Sequence, residues 1–360
     1  MTPAMKILRP IAVLAGFLML TASAVAQLSL TPPAQTPPPA ASKPASKPKA
    51  KPAAQKPAAT ARPATAPAAP TVTVTPAPAP DDPNVDLVYG AYQRGLYKTA
   101  YDLAIKRVQE TGDPKAMTML GELSANALGV KRDDAKAAEW YKRAADAGDR
   151  EGMFALAMMR LGGRGGPVNR EEAVKLMASS AKLGNPKAAY NLALLYLDGQ
   201  TLPQDLRRSA ELLRLAADAG NSEAQYAIAT FYKEGTGVPK DPEKAARLLQ
   251  AASLADNVDA EVEYAIALYN GTGTPRNETA AVALLRKAAK QNSAIAQNRL
   301  ARVLIGGQRT PEDRIEGLKW HLVAKTGGKG DPELDEAMSK FSPEDRAKAE
   351  AATRKWLNVK

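Results

Sequence analysis

The chain has 360 residues, of which 45% are hydrophobic and 24% charged, with no cysteine, one histidine and a formal net charge of +11. This composition supports a core but excludes disulfides, thiol nucleophiles, Cys-rich zinc sites and His-rich metal centres, and it suggests no cofactor. Eight of the 49 basic residues lie in 1–80, where Asp and Glu are absent, leaving 41 basic against 38 acidic residues in the rest. The high pI therefore belongs to the leader, and nothing points to nucleic acid as a partner.

Residues 1–26 read as a secretory signal peptide. Lys6 and Arg9 form a positive start, Ile11 to Leu20 an apolar stretch, and Ala24-Val25-Ala26 a small-residue cleavage site before Gln27. An uncleaved inner-membrane anchor is the alternative, but the stretch is short of the roughly 20 residues that span a bilayer. A periplasmic or secreted location is therefore expected. Residues 27–83 form a linker rich in Pro, Ala and Lys that has no apolar periodicity and so no means of building a core. Its lysines are suited to weak contact with an anionic membrane or wall polymer; a passive spacer is the plainer reading.

Residues 84–113 read as a shortened helical hairpin that caps the N-terminal end of a repeat array, with Gly95 in its turn and Ala100 and Ala104 on its second helix. From 114 to 329 the chain repeats six times with a period of 36. One column runs Leu120, Leu156, Leu192, Ile228, Tyr264, Leu300, and the next Gly121, Ala157, Ala193, Ala229, Ala265, Ala301. Small residues recur also at Ala116 and Ala144 and at their 36-residue successors. Such positions let two helices approach closely. The column from Ala127 through Gly163 to Gly307 supplies the left-handed residue that ends a first helix, A. Asp133, Asn169, Asp205, Asp241, Asn277 and Asp313 read as N-caps of a second helix, B. Gly148, Gly184, Gly220, Asp256, Asn292 and Gly328 close it. In repeat four this predicts helix A over Glu223–Glu234 and helix B over Pro242–Ala255.

The stretches Ala224-Gln225-Tyr226-Ala227-Ile228-Ala229 and Gly235-Thr236-Gly237-Val238-Pro239-Lys240-Asp241, with Glu139 to Asp149 in repeat one, resemble the Sel1-like repeat, which is tetratricopeptide-like with a longer inter-helix loop. The resemblance, to its exported bacterial type, implies an all-α, right-handed superhelical solenoid of antiparallel helix pairs. Two loops depart from the pattern: Gly162 to Pro167 is unusually glycine-rich and reads as loose, and Arg309 replaces the second loop glycine. Residues 330–360 read as C-terminal capping helices, the last begun by Ser342-Pro343-Glu344-Asp345.

Candidate chemistry is sparse. His321 falls in a column otherwise made of Tyr141, Met177, Leu213, Leu249 and Leu285, and so reads as a partly packed helix residue. Ser179-Ser180-Ala181-Lys182 matches S-x-x-K and Lys325-Thr326-Gly327 matches K-T-G, as in penicillin-recognising serine hydrolases. However, Ser180 replaces a small alanine of the repeat, no S-D-N element exists, and the segments lie four repeats apart. The glycine runs complete no phosphate loop. Carboxylates such as Glu171, Glu172, Glu261 and Glu263 read as ordinary helix-surface groups. No catalytic residue is expected.

By the resemblance, helix A lines the concave face. Its exposed positions would be Phe154, Tyr190, Tyr226 and Val262; Met158, Leu194, Thr230 and Ile266; and Leu161, Leu197 and Tyr269. An apolar, aromatic centre with polar ends suits a groove that binds another protein. The competing reading buries these residues between adjacent A-helices. The expected function is a periplasmic, non-enzymatic scaffold or adaptor acting on an envelope or membrane signalling protein. The resemblance offers restraint of a sensor kinase in exopolysaccharide control as one instance. The alternative is a cell-wall or surface-polymer binder.

Overall fold

The computed structural model describes residues 86–306 and 309–358. The signal peptide and the proline-rich linker lie outside the described residues. Those described form sixteen helices and no strand.

A short hairpin comes first, α1 (Leu87–Gln93) and α2 (Tyr97–Thr111), turning at Gly95 with Ala100 and Ala104 fully buried. Six helix pairs come next: α3 (Pro114–Ala125) and α4 (Asp134–Asp146); α5 (Arg150–Gly162) and α6 (Arg170–Lys182); α7 (Pro186–Asp198) and α8 (Leu206–Asp218); α9 (Ser222–Glu234) and α10 (Pro242–Leu254); α11 (Val258–Asn270) and α12 (Glu278–Lys290); α13 (Ala294–Ile305) and α14 (Pro311–Thr326). Two more, α15 (Pro332–Ser339) and α16 (Pro343–Asn358), end the chain. From α1 to α14 every helix packs against its neighbours in sequence, which makes the array a solenoid.

The repeat columns explain why these segments are helical and why they stack. Ala188, Ala224, Ala260 and Ala296 are fully buried, as are Ala193, Ala229, Ala265 and Ala301. At Gly152 a Cβ would fall 2.6 Å from the Ala144 Cβ, so helices B and A of adjacent repeats meet there almost backbone to backbone. A larger side chain in such a column would cost about 1–3 kcal/mol of strain. Asp133, Asn169, Asp205, Asp241 and Asn277 each accept a backbone N–H two or three residues into helix B, as their column requires. A second capping column opens helix A: Asp113, Asp149, Asn185, Asn221, Asn257 and Ser293 do the same there. It shows at the same 36-residue step, although it is absent from the columns read from the sequence.

Three expectations need correction. In repeat six helix B starts three residues early: Thr310 caps α14, accepting from the Asp313 N–H at 3.1 Å, and Asp313 becomes a first-turn carboxylate that pairs with Arg286 at 2.9 Å. Pro311 at the first helical position makes the extra turn favourable. The glycine-rich loop of repeat two is not loose. Gly163 takes the left-handed conformation, and Gly165 packs so closely on the start of α4 that a Cβ would fall 2.2 Å from the Asp134 carbonyl oxygen. Gly237 and Gly273 press in the same way on Leu206 and Pro242, each the first residue of the preceding repeat's helix B. Where repeat six has Arg309 instead, the guanidinium pairs with Glu278, again the first residue of the preceding helix B, at 3.0 Å. The third correction is Glu261, which is fully buried and not a surface group.

Candidate functional site

Among like helices of adjacent repeats, α3 and α5, both A-helices, touch the most. α3 and α5 thus lie side by side across the boundary of repeats one and two. Thr118 on α3 donates to Asp149 at the start of α5 at 2.6 Å, and Lys233 on α9 reaches Glu263 on α11 at 2.9 Å.

The aromatic and apolar stripe lies on this A-helix face. Met158 is 40% exposed. Phe154, Leu161, Tyr190, Leu197, Tyr226, Thr230, Ile266 and Tyr269 are half-buried, whereas Leu194 at 7% and Val262 at 3% are buried. The undersides of Phe154, Leu161, Tyr190 and Leu197 rest on the core of repeats two to four, built from Ala157, Met177, Ala193, Leu213 and Ile228 among others. Ile266 and Tyr269 rest on the core of repeats five and six. Thr230 turns its hydroxyl inward, onto the Tyr226 carbonyl at 3.2 Å. Nine of the eleven positions therefore present part of a side chain to solvent while anchored by the rest, and two serve as floor.

Carboxylates border the tyrosines. The Tyr190 phenol is pushed above its ordinary value by burial and then by the charge of Glu223. That of Tyr226 is pushed well above it by burial, then by Glu263 and Asp259. Asp259 is exposed to solvent, and its carboxyl is raised from its ordinary value by partial desolvation and then by the charge of Glu263. The role of Glu223, Asp259 and Glu263 in this face was not read from the sequence, although Glu223 and Asp259 stand one 36-residue period apart.

The groups considered for catalysis lie elsewhere. Ser180 is fully buried, and its hydroxyl donates to the Arg150 carbonyl at 2.6 Å across the repeat boundary. It has neither access to a substrate nor a base beside it. His321 is buried completely, not partly; its Nε2 meets Asp335 on α15 at 2.8 Å, and Lys325 binds the same carboxylate. No group of three or more His, Asp or Glu side chains suited to hold a metal ion occurs among the described residues. None of the described helices is long and apolar enough to cross a membrane.

The family model for the Sel1 repeat matches six consecutive segments, 114–149, 150–185, 186–221, 222–257, 258–293 and 294–328. Among solved structures, a Sel1 repeat protein from Oxalobacter formigenes is similar at 24% identity and a TM-score of 0.57, over 67% of this chain and 98% of that one. The protective antigen c5321, present in uropathogenic Escherichia coli strains and displaying an SLR fold, is similar at 24% identity and a TM-score of 0.49, over 73% of this chain and 64% of its own. No curated protein matches the chain in sequence.

Proposed function

The chain belongs to the Sel1 repeat family, and on that premise we propose that it is a non-enzymatic scaffold whose A-helix groove across repeats two to five binds a partner protein of the cell envelope. Sel1 repeats mediate protein–protein interaction, and this array carries the means to do so. One observation supports the reading most: rings at Phe154, Tyr190, Tyr226 and Tyr269 stay reachable by solvent along one face although each is anchored on the core. Rigid, half-sunk aromatic residues contribute contact area at little entropic cost, and such residues dominate the energetics of protein interfaces. The signal-like leader supports an exported location, and with it an envelope or membrane signalling partner, of which a restrained sensor kinase is one instance.

Photo-crosslinking in intact cells tests this. A crosslinker at Met158 on the groove should trap a defined partner. One at Leu215 on α8, exposed on a B-helix, should not, and the Tyr190→Ala/Tyr226→Ala double variant should lose the adduct. The same adducts from both faces, or adducts unchanged in the double variant, would sink the groove reading.

A further inference from the structure

α15 is an A-helix left unfinished. It has eight residues where the A-helices of the six repeats have twelve or thirteen, and Leu334 is its one buried residue where each of those buries at least four. Yet it begins as they do. Asp331 caps it, accepting from the Glu333 N–H at 3.2 Å, and Asn298 on α13 donates to the same carboxylate at 2.9 Å, as Thr118 on α3 does to the Asp149 cap of α5. Gly327 to Gly330, three glycines and a lysine, all exposed, lead into it.

Charge does here what apolar contact does elsewhere in the stack. Half-buried Arg302 on α13 reaches Asp331 at 2.6 Å and Glu333 at 2.8 Å. One turn further, Asp335 takes His321 Nε2 at 2.8 Å and Lys325 at 3.0 Å from α14. Arg299, also on α13, lies within the field of Asp331, and Glu336 pairs with Lys340 just past the helix. α16 has its own seat: Trp356 packs edge-on against Trp320 of α14 at 5.1 Å, and Ala349 and Thr353 are buried.

An eight-residue helix is marginal by itself, so α15 depends on these contacts. Burial pushes the Asp331 carboxyl up, but the hydrogen bonds from Asn298 and Arg302 outweigh it and hold it below its ordinary value; His321 and then Lys325 do the same for Asp335. Depressed values mean a contribution present above the ordinary carboxylate range and lost as pH falls through the folded values. Acid thus loosens both ends of α15, whereas the apolar joints between repeats do not titrate. We propose that α15 is an ionic latch: its carboxylates hold it on α13 and α14, and when they are neutralised it opens with its flanking loops while the six repeats stay folded. Opening bares Asn298 and Arg302, which stand in the groove columns of Phe154 and Met158.

Hydrogen exchange read by mass spectrometry on the full chain tests this from pH 7 to pH 3, with rates corrected for intrinsic exchange. Protection of α15 should fall at least about tenfold over that range while α7 to α10 keep theirs. Asp331→Asn/Asp335→Asn should open α15 about tenfold more at pH 7 and flatten its pH dependence; asparagine also caps, so the charge goes and the cap stays. Glu344→Gln/Glu350→Gln on α16, whose partners Lys348 and Arg354 lie on the same helix, should change neither. The wild-type series decides by itself if the double variant does not fold. An α15 that keeps its protection at pH 3, loses it together with α13 and α14, or retains the wild-type pH dependence in the double variant overturns the proposal.

Discussion

His321 Nε2 lies 2.8 Å from Asp335 Oδ1, so the one imidazole of the chain fastens α14 to the helix that comes after the last repeat. The imidazole is fully buried, and its Nδ1 is buried without a hydrogen-bond partner. Lys325 holds the same carboxylate from outside at 3.0 and 3.1 Å. A polar contact thus occupies a column that is apolar in repeats two to five, Tyr141 in repeat one giving its hydroxyl to Glu122 at 3.1 Å.

Asp335→Ala is expected to leave a buried N–H unpaired and lower stability by about 1 kcal/mol, at the small end of such losses because water can reach the vacated carboxylate position. His321→Leu restores the column and should cost less, or stabilise. The Asp335 carboxyl is held below its ordinary value by the hydrogen bond from His321 and then by that from Lys325. A depressed folded value means stability that is present above the ordinary carboxylate range and lost as pH falls through the folded value. Urea midpoints measured from pH 7 to pH 3 should therefore fall more steeply in the wild type than in Asp335→Asn. Parallel curves would refute the linkage.

Glu261 poses a second problem of pairing. Its column holds Gln225 and Gln297, whose amides donate to the Ala217 and Ala289 carbonyls of the preceding helix B at 3.2 and 3.1 Å. A carboxylate cannot make that bond. Lys287 instead reaches Glu261 at 2.6 Å and Asp256 at 2.7 Å, and its ammonium is raised above the usual value by the bond to Asp256 and then by that to Glu261. Lys287→Met should destabilise by clearly more than loss of a pair between two exposed charges does, because it leaves the buried Glu261 carboxylate alone. Glu261→Gln should be neutral or stabilising and should rescue Lys287→Met. Additive losses in chemical denaturation would show that the two side chains are not coupled.

Two loop substitutions should act in opposite directions. At Gly273 (φ +68°) a Cβ would fall 2.0 Å from the Pro242 carbonyl oxygen, so Gly273→Ala combines backbone strain with a clash that only movement of the adjacent repeat can relieve. The expected loss is at least about 2 kcal/mol. Ala127 already bears φ +56° with a side chain, and Ala127→Gly should gain about 1 kcal/mol. Paired thermal melts decide; a silent Gly273→Ala would mean that the loop does not press on its neighbour.

Ser180→Ala should cost about 1 kcal/mol, through loss of the hydroxyl bond to the Arg150 carbonyl. Labelled penicillin should leave no adduct on the wild type. An adduct that disappears in this variant would reinstate the serine-hydrolase reading.

Much of the array was legible because its signals are local. Asp241 caps α10 and Gly235 ends α9 where their columns placed them, since caps and left-handed residues act within one helical turn. Thr310 escaped notice because Asp313 matched its column, and only the chosen start of α14 shows which residue caps it. Glu261 was misread for a related reason: a carboxylate on a helix looks solvent-facing until the lysine that buries with it is seen, 26 residues further on.

The sequence by itself determined the period, the two helices of each repeat, the helix-B caps of repeats one to five and the small columns that let the helices close, because each depends on chemistry within a turn or on a contact repeated at a constant offset. Only the tertiary structure decided how deep each side chain sits. It sank His321 and Glu261, set Gly165 and Gly273 against a neighbouring backbone, and left Tyr190 and Tyr226 partly open. Depth depends on what the adjacent repeat brings to the same place, and that is a property of the stack and not of any one segment.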